Sequence, residues 1–165
     1  TVAGLLTYMT GSILLLTNLA LTLAEGRSAT PAALHMTLAY LWMVVPAFFA
    51  PFILFAPQLI RPPAVEGAAL QGLVNGWLLG IAMGALPLVL RSRQDGSVFD
   101  PDATHDRGSW HSVAALNLGV ALVWATAVVT SEPAVRALMV GGYTLIGLAW
   151  LPFLRRVWSA VTAIN

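Results

Sequence analysis

The sequence predicts an all-α fold, an integral membrane bundle of five transmembrane helices forming a single membrane domain over residues 1–165. Three observations carry that prediction. The chain is 58% hydrophobic and 9% charged, whereas a soluble domain carries roughly 25% charged residues, so it lacks the side chains to cover a water-facing surface. Apolar segments near the roughly 20 residues that a bilayer core demands recur between short polar breaks. Finally, the stretch "GLVNGWLLGIAMG" places glycine at positions 72, 76, 80 and 84. Glycine inside a soluble helix costs about 1 kcal/mol relative to alanine, but in lipid a bare stripe lets helices approach backbone to backbone.

The first span runs over 2–24 and stops at Glu25-Gly26-Arg27. It has no basic leader and is too long for the apolar core of a signal peptide, so it reads as a mature span. The second covers 30–57 and opens at Thr30-Pro31, where proline suits a first helical turn. Pro46, Pro51 and Pro57 in "VVPAFFAPFILFAP" remove interior donors and predict a kink or loosening in its second half, serving either as a plain bend or as a slot for a cofactor. The third covers 68–90 and ends at Arg91-Ser92-Arg93. The fourth covers 109–130. The fifth covers 134–154, introduced by Glu132-Pro133 and closed by Arg155-Arg156. Between the third and fourth lies "RSRQDGSVFDPDATHDRGS", the one clearly water-loving stretch.

Arginine placement orients the bundle. Arg27, Arg91, Arg93, Arg107, Arg155 and Arg156 fall on the side opposite the first residue, against Arg61 and Arg136 on the near side. The positive-inside rule makes the arginine-rich side cytoplasmic. The expected location is a prokaryotic cell membrane.

Several function classes fall away. A net charge of +1 offers no basic surface for nucleic acid. With no cysteine there is no disulfide, thiolate metal site, iron–sulfur cluster or CxxCH haem attachment. Every acidic residue lies at a span end or in a loop, which argues against an ion-coupled pump or transporter, since intramembrane acids are the working parts of those proteins. No nucleophile–base–acid trio, phosphate loop or HExxH helix is present, so no catalytic residue is assigned.

The polar residues inside the spans are the candidates for binding. His35 lies one turn into the second span and His111 at the mouth of the fourth. Both spans start on the same side, so the two histidines should share a depth, with Asn18 and Asn117 near that level as a polar layer. Imidazole is an axial ligand of haem iron, and His35 and His111 on separate helices would hold one b-type haem, which is also the only metal site expected in the spans. The plainer alternative makes His111 an interfacial residue beside Trp110 and His35 a hydrogen-bonded helix end. His105, in the acidic loop, is read as a loop residue, with metal binding beside Asp102 or Asp106 as the lesser alternative. Of the six tryptophans, Trp110 and Trp158 read as interfacial anchors. Trp42, Trp77 and Trp124 read as packing residues. Gly72, Gly76, Gly80 and Gly84 are expected to dock another helix, with a porphyrin face as the alternative. A five-span bundle of this kind expects lipids and either other membrane subunits or further copies of itself as partners.

"SWHSVAALNLGVALVWATAVV" with "RALMVGGYTLIGLAWLPFLRRVW", and "AALHMTLAYLWMVVPAFFAPFILFAP", resemble helices of membrane proteins related to haem–copper oxidase subunit I and the similar nitric-oxide-response membrane proteins. The resemblance covers somewhat over half of the chain. It implies a small subunit of a respiratory or electron-transfer complex. The family's helix carries a doubled histidine where "ALHMT" has His35 alone, and a complete oxidase centre needs more histidines and spans than this chain has. What the resemblance implies here is therefore one haem b at His35, with His111, or a degenerate subunit without cofactor that packs against a larger complex.

Overall fold

In a computed structural model the described residues are 2–25, 30–95 and 109–162, and they form helices and turns alone. The elements are α1 (Val2–Ala24), α2 (Pro31–Phe55), a 3-10 turn (Pro57–Leu59), α3 (Pro62–Gln71), a π-helical turn (Gly72–Leu78), α4 (Leu79–Asp95), α5 (Trp110–Ala125) and α6 (Glu132–Thr162).

Local chemistry sets most of the helix starts. The Thr30 hydroxyl accepts from the Ala33 N–H at 3.2 Å, with Pro31 in the first turn, and Ser109 does the same for the Ser112 N–H at 3.3 Å. Each satisfies one of the donors a helix start leaves over. Helix α2 continues as an α-helix through Pro46 and Pro51 and ends at Phe55, so Pro57 opens the following turn instead of closing the helix. The third span begins at Pro62, earlier than the apolar pattern suggests, because Pro62-Pro63 fits a first turn that needs no N–H donors. Exposed Glu66 does not interrupt it.

Among the described residues four stretches are long and apolar enough to cross a membrane: Val2–Leu21, Pro31–Phe55, Pro62–Leu86 and Glu132–Ser159. Helix α5 has 16 residues, so it is about 24 Å long against a hydrocarbon core of about 30 Å. It stops because the chain beyond Ala125 is recruited elsewhere. Thr126 Oγ1 donates to the Val123 carbonyl at 2.7 Å. The Ala127 carbonyl accepts from the Arg61 N–H at 3.0 Å and the Val129 carbonyl from Arg61 Nη1 at 3.3 Å. Arg61 thus ties the start of α3 to the end of α5.

Helices α3 and α4 join through the π-helical turn into one rod. Gly72 N–H donates to the Ala68 and Ala69 carbonyls, and Leu79 N–H reaches back five residues to Val74. Helical geometry explains why a π turn belongs here. An α-helix advances about 100° per residue, so each four-residue step overshoots a full turn by about 40°. Three such steps would smear Gly72 to Gly84 across about 120°. The π turn, with its longer i to i+5 reach, rotates less per residue and cancels much of that drift.

The buried core lies between this rod and helices α2, α5 and α6, with Trp42, Leu79, Met83, Leu116, Val120, Trp124 and Ala149 among its members. Helix α1 is peripheral and packs chiefly against α2. Its half-buried positions Leu5, Met9, Leu16 and Leu19 share a face with buried Ser12, and Tyr8 Oη donates to the Met43 carbonyl at 3.1 Å. The remaining faces of α1 point outward.

Candidate functional site

The glycine stripe meets α2. A Cβ placed at Gly84 would lie 2.7 Å from the Ala32 carbonyl and 2.6 Å from Met36 Cγ. At Gly80 it would lie 2.9 Å from Ala39 Cβ and 3.3 Å from the His35 carbonyl, and at Gly76 it would fall inside the Trp42 side chain. At Gly72 it would sit 2.9 Å from Trp124 Nε1 of α5. Ascending glycine numbers meet descending α2 numbers, so the two helices run antiparallel in direct contact.

His35 is 2% exposed, one turn into α2 on the face that carries Ala32, Ala39 and Trp42. His111 occupies the first turn of α5 and is exposed. One ring is enclosed while the other looks out. Asn18, on α1, is exposed as well. Asn117 turns to a different partner: Trp42 Nε1 donates to its Oδ1 at 2.7 Å, and its Nδ2 donates to the Val113 carbonyl at 2.8 Å. This hydrogen bond joins α2 to α5 seven residues further along α2 than His35, near the middle of that helix. His105, Asp102 and Asp106 lie outside the described residues, as does Arg27.

Beside His35 the rod comes close to the α2 backbone, since a Cβ at Gly80 would lie 3.3 Å from the His35 carbonyl. Among the described residues no cluster of three or more His, Cys, Asp or Glu side chains is poised to hold a metal ion. An open cleft of about 620 Å³ lies at the start of α6, lined by Glu132, Pro133, Arg136, Ala137 and Val140, and includes neither histidine.

The tryptophans divide in a way their spacing did not reveal. Trp110 and Trp158 are exposed, as anchors at a membrane surface would be. Trp42 is both a packing residue and the donor to Asn117. Trp124 stacks on Phe49 with ring centroids 4.9 Å apart. Its Nε1 is buried without a hydrogen-bond partner, and so is that of Trp77.

A second close seam, between α5 and α6, escaped the sequence reading. A Cβ at Gly119 would lie 2.7 Å from the Gly142 carbonyl, and one at Gly142 would lie 2.9 Å from the Gly119 carbonyl. Seven residues away on each helix, Ser112 Oγ donates to the Ala149 carbonyl at 2.9 Å, with Met83 Sδ 3.6 Å from the same hydroxyl. The missed signal was a pair of small residues seven apart in each helix, Ser112 with Gly119 and Gly142 with Ala149. Also unread was the amide pair on the rod, where Asn75 Nδ2 donates to Gln71 Oε1 at 2.6 Å.

No protein-family model matches this chain, nor does any curated protein or any solved structure.

Proposed function

We propose that this chain is a small integral-membrane subunit that acts by packing, docking its helices against lipid and a larger membrane assembly without a cofactor of its own. One observation carries the reading. In an apolar 18-residue window of Val2–Leu21 only 6% of the residues are buried inside the bundle, and in one of Pro62–Leu86 only 33%, so most of both apolar windows faces outward. In water such surface would drive aggregation; in lipid it is the ordinary exterior of a membrane helix. The inward polar side chains support the same reading, since Trp42, Asn117 and Ser112 serve as ties between helices. The resemblance to subunit I-like proteins directs the search for the assembly toward respiratory and electron-transfer complexes.

The test is fractionation followed by spectroscopy. The chain should stay in membranes washed with alkaline carbonate and migrate with a larger complex in mild detergent. After purification with added haem it should show no Soret band. Release by carbonate would end the membrane reading. A Soret band lost in His35→Ala would replace the packing role with a haem-carrying one.

A further inference from the structure

Gln71 and Asn75 sit near the middle of the Pro62–Leu86 apolar stretch, one turn apart where the rod enters its π-helical turn. Their mutual hydrogen bond of 2.6 Å uses only part of what they offer, because each carboxamide has two N–H donors and an oxygen with two lone pairs. Both side chains are half-buried. Beside them the outward surface is formed by Leu70, Val74 and Leu78, all exposed, and by Gly67, where a Cβ would meet no atom within 4 Å. In hydrocarbon no water completes an amide, and such groups find partners on neighbouring helices.

Resting on the membrane reading above, we propose that this face is the contact between two copies of the chain, with each Gln71–Asn75 pair hydrogen-bonded to its symmetry mate. Self-complementarity identifies the occupant. A carboxamide is donor and acceptor together, so it satisfies an identical group. Two copies inserted in the same orientation and related by a two-fold axis along the membrane normal bring equal depths together, as an isologous interface requires. Residues 67–78 contain no charged side chain, so the like charges that the symmetry brings to one level are the two copies of exposed Glu66, at the outer end of the face and five residues from Gln71. Gly67 lets the backbones close in one turn away from the amides.

The chain has no cysteine, so a single introduced thiol is the only one to report. Leu78→Cys places it on the proposed face. Leu148→Cys, the same number of residues into α6 as Leu78 is into the rod, and Leu14→Cys on α1 place it on other exposed faces. Membranes holding each variant are oxidised with copper phenanthroline and run on non-reducing gels. The proposal expects covalent dimer at Leu78→Cys several-fold above both controls. Adding Gln71→Leu and Asn75→Leu should lower that yield about tenfold, the effect of losing two interhelical hydrogen bonds, while the protein stays in carbonate-washed membranes. Equal yields at all three positions would overturn the proposal, as would a yield indifferent to the leucine pair or crosslinking at Leu78→Cys to a different protein alone. Release of all three variants by carbonate would instead mark failure of the membrane reading itself.

Discussion

Glycine lines two helix contacts in this bundle, but in the α3–α4 rod it recurs every four residues, whereas in the α5–α6 pair the small residues recur every seven. Both seams bring backbones so close that a single methyl group would collide with the neighbour. They differ in what the helix must do to keep its small residues facing one way. Seven residues return an α-helix to within about 20° of its start, so Ser112 with Gly119, and Gly142 with Ala149, stay aligned on regular α-helices. Four residues overshoot by about 40° at each step, and the rod meets α2 along its length through a π-helical turn between Gly72 and Leu78. The spacing of small residues thus constrains the backbone as well as the contact.

Deletion separates the two seams most sharply. Removing Leu118, an exposed residue of α5, rotates Ser112 against Gly119 by about 100° and should abolish folding, seen as loss of a monodisperse peak in detergent. Removing Val74, exposed within the π turn, leaves Gly72 and Gly84 eleven residues apart, a spacing that realigns on a plain α-helix to within about 20°. This variant should remain folded, with the π turn replaced by an α-helix. Collapse of both variants to the same degree would remove the geometric explanation.

Next in size are single methyl groups. Gly76→Ala drives a Cβ into buried Trp42, which its hydrogen bond to Asn117 holds in place, and should cost about 3 kcal/mol. Gly119→Ala meets the Gly142 carbonyl and should cost about 2 kcal/mol. Reversible unfolding in mixed micelles gives both values, and a neutral result for either variant would mean that its seam can open without penalty. Asn117→Leu removes the tie to Trp42 and should cost about 1 kcal/mol without moving α5 against α6, whose seam does not use it. The smallest effect belongs to Gly147→Ala. It meets nothing within 4 Å and should stabilise the chain by up to about 1 kcal/mol through helix propensity.

Much of the architecture was legible before any coordinates. The α1 bounds match the apolar run 2–24, and the Thr30-Pro31 and Glu132-Pro133 starts mark α2 and α6, because capping and hydropathy are local properties. The ends of the third and fourth spans were not legible. Pro62-Pro63 extends the rod backward, and Arg61 draws the residues after Ala125 out of the helix by a hydrogen bond across some sixty-odd positions. The histidines show the same limit. How far each ring is covered depends on rotation about the helix axis, and that rotation buries His35 and leaves His111 exposed.

By itself the sequence determined the material: a chain this apolar, with 9% charged residues between long apolar runs, forms long apolar helices that satisfy their own backbone, and its glycines mark where close contact is possible. Only the tertiary structure decided which surfaces meet. Pairing depends on how each helix is turned and where it lies relative to the others, so the same glycine stripe offered to a helix or to a flat ligand reads identically in one dimension. Here Ala32, Met36, Ala39 and Trp42 fill it, with Trp124 at Gly72, and the spacing alone could not have named them.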